Sequence, residues 1–350
     1  MLYDVSKSYL ENLREGPCFK GTIPQRKDPA SPLHFLGHQL NSPLGVAAGP
    51  LLNSRWVALA SKLGFDVLVY KTIRSKAHPS LPQPNVIFVD ATGPNTAIEK
   101  ADAPFDASDV AITNSFGMPS LSPDFLLHDI QEANRSIQKG QLLIVSVVGT
   151  KRPSESFIGD FVRTAELAKE GGAKVIEANF SCPNVDRSEG MLYASPEAVQ
   201  QFSAAIARAI HPLPLILKVG NMPRELLRSV LIAAARGGAK GVCGINAIPM
   251  KVLNQQQKPA LGAARESSGV CGAPIRERAL LFLKVASSII QDEKLDLVLM
   301  GCGGVTAPEH FDDILQSGAL IAMCATGMMW NPLIGMRYHN AAKTSHLAAL

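Results

Sequence analysis

Short aliphatic or β-branched runs alternate with helix-period stretches along most of this chain, and that rhythm restricts the fold more than any other feature. The strand-like runs are Leu44–Ala48, Asp66–Lys71, Leu142–Val148, Lys174–Phe180, Leu213–Val219, Gly241–Asn246, Leu295–Gly301 and Leu320–Cys324. Apolar residues recur at helical spacing over Ser54–Leu63, Pro123–Gln138, Ser156–Glu170, Pro196–Ile210, Pro223–Arg236, Ile275–Gln291, Ala307–Gln316 and Leu333–Lys343. Eight strands, each with a helix after it, predict an α/β fold, a (β/α)8 TIM barrel. One barrel domain over 41–350 follows, with residues 1–40 as an N-terminal extension. A doubly wound sheet would carry a Gly-x-Gly-x-x-Gly turn after the first strand, and none stands there.

Two stretches break the rhythm. Residues 73–121 are rich in Pro, Gly and Asp and hold a ninth strand-like run, Val110–Asn114, with no helix before it. Ala247–Pro274 is a second long connection. Both read as loop excursions at the top of the barrel, and loops of this length in a compact domain more often carry function than not. In the extension, Tyr9-Leu-Glu-Asn-Leu13 is expected to form a short helix closing the bottom of the barrel.

Composition removes several function classes. With 350 residues, 46% of them hydrophobic, the chain can bury the large core that a barrel requires. The net charge of +4 comes from scattered basic residues, and aromatic residues are few, so no nucleic-acid surface is expected. The six cysteines lie far apart with no Cys-x-x-Cys pair, which argues against a structural zinc or an iron–sulfur cluster, and no metal is expected. Reduced thiols and a start unlike a signal sequence point to the cytoplasm. The most apolar stretch, Ala319 to Trp330, is too short to cross a bilayer, so no transmembrane segment is expected.

Barrel active sites sit at the C-terminal ends of the strands. There the chain places Lys71, Asn179, Lys218 and Asn246. In the run Glu177-Ala-Asn-Phe-Ser-Cys-Pro-Asn184, alternation puts Val175, Glu177 and Asn179 on one face and Ile176, Ala178 and Phe180 on the other. Asparagine amides can pair with the donors and acceptors of a small heterocycle, and the thiol of Cys182 can move a proton. Two lysines near a barrel lumen need anionic partners. Glu177 could serve one; the alternative is a bound anion such as a carboxylate, a phosphate or a reduced flavin. The turns Gly301-Cys-Gly-Gly-Val305 and Cys324-Ala-Thr-Gly-Met328 free backbone amides where barrels commonly cradle phosphate. Gly269-Val-Cys-Gly-Ala273 is either a third edge of that cradle or a hinge.

The loop Asn179-Phe-Ser-Cys-Pro-Asn184 resembles the signature of the dihydroorotate dehydrogenase family. Similar segments follow the same order: Ala47-Ala-Gly49, Tyr70-Lys-Thr72, Asn114-Ser-Phe-Gly-Met-Pro119, Leu217-Lys-Val219, Ile245-Asn246, Ser268-Gly-Val-Cys-Gly272, Gly301-Cys-Gly-Gly304 and Ala325-Thr326. The resemblance covers about residues 40–340. It implies an FMN-binding barrel that oxidises dihydroorotate to orotate in pyrimidine biosynthesis. It further implies Cys182 as the catalytic base, with Lys71, Asn114, Asn179, Asn184 and Asn246 binding substrate. Ala48, Gly49, Lys71, Thr72, Asn179, Lys218, Gly269, Gly303, Gly304, Ala325 and Thr326 would hold FMN, with Lys218 against flavin N1 and O2. A cysteine base resembles the class 1 enzymes, among which a homodimer is common and some use an electron-transfer partner subunit. Fumarate, a nicotinamide cofactor reached through such a partner, and quinone are the electron acceptors the resemblance allows.

The chain departs from the family pattern in places. Family members usually carry Ser or Thr after the asparagine of the sixth strand, where this chain has Ala247. That change motivates an alternative reading, a related FMN barrel acting on another dihydropyrimidine-like ring; a non-catalytic ligand-binding barrel is the third. The segment Gly37–Gly49 is closer to the membrane-associated class 2 enzymes, yet residues 1–40 lack the amphipathic helix pair those enzymes use to meet quinone.

Overall fold

All eight runs of the alternating pattern pair in parallel and close into one barrel in the computed structural model, which describes residues 2–27, 32–91, 93, 95–181 and 191–341. In spatial order, which is also chain order, the strands are Leu44–Val46, Val67–Ile73, Leu142–Val147, Val175–Asn179, Leu215–Lys218, Gly241–Gly244, Val298–Cys302 and Ile321–Cys324. The fold is the expected (β/α)8 barrel. Helices follow the strands, and their starts are written in the sequence. Asn53, Ser122, Ser156 and Ser195 each accept a backbone N–H of the first turn, and Pro123 and Pro196 occupy first positions where no amide hydrogen is needed.

Strand alternation divides the apolar residues into two cores. Val67, Val69, Ile144, Val175, Ile216, Met300 and Met323 point into the barrel, whereas Leu68, Leu143, Ile176, Ala178 and Leu217 pack against the helices. The predicted division of the fourth strand holds: Val175 lies in the inner core, and Ile176, Ala178 and Phe180 lie in the outer one.

The bottom of the barrel is closed differently from the expectation. An antiparallel hairpin of Leu33–Phe35 and His38–Leu40 inserts Phe35 and Leu40 into the inner core with Val67, Leu142, Val175 and Ile321, the residues at the strand starts. The helix Tyr9–Glu15 instead lies at the opposite end, where Tyr9 packs on Phe116 with ring centroids 5.8 Å apart. The helix pattern was readable, but the end it covers depends on tertiary contacts.

The two excursions are also more ordered than loops. Segment 73–121 contributes Val86–Asp90, Thr96–Lys100 and Ala111–Asn114, and 247–274 contributes Ile248–Leu253 and Ser267–Gly272. These five strands close on themselves as a second, smaller barrel. Thr96–Lys100 pairs with Ile248–Leu253, and Ala111–Asn114 with Ser267–Gly272, so each excursion supplies edges for the other. Buried Arg74 ties this cap to the barrel, donating to the carbonyls of Gly117 and Met118 and to Thr150 Oγ1.

Candidate functional site

A cavity of about 200 Å³ opens between the barrel's C-terminal end and the cap, against about 10 Å³ for a neighbouring hollow under the helix Pro123–Ser136. Its floor is built from the strand ends. Lys71 and Lys218, only 8% and 4% exposed, both line it, so neither ammonium group points outward into water. Lys218 Nζ donates to the Ala48 carbonyl at 3.4 Å.

Simple alternation would send Lys71 and Thr72 to opposite faces. Pairing between the second and third strands shifts register between Tyr70 and Ile73, and this irregularity lets both residues face the cavity. Thr72 Oγ1 contacts Ser146 Oγ at 3.0 Å and accepts from Asn179 Nδ2 at 3.5 Å. Asn179 Oδ1 accepts from Ser181 N at 3.2 Å and from Asn246 Nδ2 at 3.5 Å. Asn246 also donates to the Ser181 carbonyl, and its Oδ1 accepts Ala247 N at 2.9 Å. The amides are thus fixed in orientation by a network running from the second strand to the sixth. Asn114 reaches in from the cap, donating to Cys271 Sγ at 3.6 Å. Ala247 lines the cavity with a methyl group where a hydroxyl would offer a polar atom.

The far wall is made of the two glycine-bearing turns. Gly303, Gly304, Ala325 and Thr326 all line it. Gly303 and Gly304 have φ of +122° and +77°, in the left-handed region, and a Cβ on Gly304 would fall 2.6 Å from Arg276 N. Side chains are excluded there, which leaves backbone amides to meet a ligand. The fit to FMN is good on these grounds. A narrow, glycine-lined wall suits a phosphate, and two buried ammonium groups suit a ring that gains negative charge on reduction. Among the described residues no cluster of His, Cys, Asp or Glu could hold a metal ion.

Of the residues singled out in the sequence, Ala48, Gly49, Lys71, Thr72, Asn114, Asn179, Lys218, Asn246, Gly303, Gly304, Ala325 and Thr326 meet at this one cavity. Gly269 stands outside the lining; it pairs with Asn114 in the cap sheet and its carbonyl accepts from Thr113 Oγ1 at 3.0 Å. Cys271 and Gly272 of the same strand line the wall instead. Burial raises the Cys271 thiol pKa, against the opposing pull of Thr326, Asn114 and Lys218. Cys182 and Asn184 lie outside the described residues. Sequence reasoning missed the aromatic rim of Tyr3, Tyr9, Phe116 and Trp330. No local signal marks it, because the residues come from the N-terminus, the cap and the end of the barrel.

The family model for dihydroorotate dehydrogenase matches residues 32–337. A protein of Dictyostelium discoideum named dihydroorotate dehydrogenase is 44% identical, over 98% of this chain and 98% of its own length. A dihydroorotate dehydrogenase (quinone) of Thermobifida fusca (strain YX) is 25% identical over 89% of this chain and 79% of its length. The NAD-dependent dihydropyrimidine dehydrogenase subunit PreA of Escherichia coli (strain K12) is 30% identical over 54% of this chain and 45% of its length.

Proposed function

The chain belongs to the dihydroorotate dehydrogenase family, the premise from which we propose how it works. It is an oxidoreductase acting on a CH–CH bond, and it oxidises dihydroorotate to orotate in pyrimidine biosynthesis. FMN is its cofactor and Cys182 its base. One observation carries this reading: two buried lysines, three asparagines and two glycine turns, drawn from strands far apart in sequence, converge on a single cavity.

Asn114, Asn179, Asn184 and Asn246 hold the pyrimidine edge and the carboxylate of the substrate. The fixed orientation of Asn114, Asn179 and Asn246 favours this, because a preset amide loses little freedom on binding. Cys182 removes the proton from substrate C5, for which its thiol must approach thiolate character. Lys71 would contact both the cofactor and the substrate. Ala48, Gly49, Thr72 and Asn179 would hold the isoalloxazine, and Lys218 would stabilise the negative charge that the ring gains on reduction. Gly303, Gly304, Ala325 and Thr326 hold the phosphate. Bound FMN supplies the acceptor for the hydride that leaves C6.

Among the described residues no helix is long and apolar enough to cross a membrane. The described cysteines Cys18, Cys243, Cys271, Cys302 and Cys324 are free thiols, which supports a cytoplasmic location as part of the proposal. A homodimer belongs to it as well, by analogy with the class 1 enzymes that a cysteine base resembles.

Anaerobic addition of dihydroorotate to the purified, FMN-loaded protein tests the reading. The yellow flavin absorbance should bleach and orotate should appear in equal amount. An unbleached spectrum with dihydroorotate, alongside bleaching by another dihydropyrimidine, would reassign the substrate.

A further inference from the structure

Glu177 is the charged residue of the barrel interior that the chemistry above leaves unused. It lies on the fourth strand beside Ile216, one inward position below the pair formed by Asn179 and Lys218. It has no solvent exposure, and neither carboxylate oxygen has a hydrogen-bond partner among the described residues. Burying a carboxylate without donors is costly unless opposite charge lies near it.

The inward groups of the surrounding strands limit what can do so. Ser146 of the third strand contacts Thr72. The first and eighth strands bring Ala47 and Met323. The sixth and seventh bring the thiols of Cys243 and Cys302, whose sulfurs are 3.8 Å apart. Cations come from Lys71 of the second strand and Lys218 of the fifth. Lys218 stands one inward position above Glu177 on the neighbouring strand, and the two charges act on both thiols with opposite sign. Carboxylate and ammonium therefore belong to adjacent inward layers, the lysine at the cavity floor and the glutamate below it.

We propose that Glu177 is the counter-charge of Lys218, a positioning residue that sets the redox potential of the flavin held above the pair. The proposal rests on the FMN reading of the cavity. An ammonium group alone at the floor would strongly favour the reduced, negatively charged flavin. The ionised carboxylate one layer below opposes that field, so the reduced cofactor binds its two electrons less tightly and passes them more readily to a second substrate. Glu177 exchanges no atoms with substrate.

Redox titration of the FMN-loaded protein, parent against Glu177→Gln and Glu177→Asp, tests it. Glu177→Gln should shift the reduced-to-oxidised ratio at fixed potential about tenfold toward reduced flavin, a rise of about 30 mV for a two-electron couple. Glu177→Asp should stay close to the parent. An unchanged potential in Glu177→Gln with FMN bound overturns the proposal. Should Glu177→Gln not fold, infrared spectroscopy of the oxidised parent and Glu177→Asp decides. An ionised carboxylate band that moves in the Asp variant supports the proposal, and a protonated carbonyl band there overturns it. A colourless parent that refuses FMN would remove the cofactor reading and this proposal together, whereas an unaltered potential removes this proposal alone.

Discussion

Lys71 and Thr72 are neighbours in sequence, yet both reach the cavity because the second strand slips register beside them. At that point Lys71 was readable from its place at a strand end, and Thr72 only through the family motif, since alternation by itself assigns it to the outer core. Asn179 and Lys218 were readable from pattern alone, as both end strands whose inward faces follow strict period two. For the base, the expectation is specific. Cys182→Ala should leave FMN bound while slowing flavin reduction by dihydroorotate about 10²–10⁴-fold, measured by anaerobic stopped flow. Unchanged reduction kinetics would take Cys182 out of the mechanism.

Among the elements, the strands and helices of the barrel were legible, because each is long enough to show its period and four of the helices begin with a capping residue. Of the cap strands, Ala111–Asn114 was legible as the run Val110–Asn114, and the other four were not. Ile248–Leu253 contains Pro249, and Thr96–Lys100 and Ser267–Gly272 are short and largely polar, so neither propensity nor alternation marks them. The hairpin that plugs the barrel was not legible either, because each of its strands has only three residues.

The helix Phe157–Glu170 is held to its surroundings by Asp160, which accepts from Ser75 Oγ at 2.5 Å, Thr150 N at 2.7 Å and Arg163 Nη2 at 2.8 Å. Burial pushes the Asp160 carboxyl up, but these donors and Arg152 outweigh it and hold the group below the usual carboxylate range. A depressed folded-state value means that this contribution is complete above the unfolded value of about 3.9 and is lost as pH falls through the folded one. Asp160→Asn should be less stable than the parent at pH about 7, and the difference should shrink below pH about 4. Urea unfolding at both pH values checks this; a difference independent of pH would deny the clamp its charge.

For the whole molecule, the ligand and the fold are coupled, since residues lining the cavity come from both barrel and cap. FMN at a hundredfold excess over its dissociation constant should add about 2.7 kcal/mol to folded stability. Thermal unfolding with and without added FMN measures it, and coincident transitions would show that the flavin is not bound by the native state. The overall architecture was readable because a repeated strand–helix unit has few ways to close. The cap was not, because its pairing joins segments some 150 residues apart. That pairing has an evolutionary corollary. Thr96–Lys100 rests on Ile248–Leu253, and Ala111–Asn114 on Ser267–Gly272. Neither insertion can be transplanted from a relative by itself without stranding unpaired backbone edges, so a chimaera with altered substrate choice has to inherit the two as a matched set.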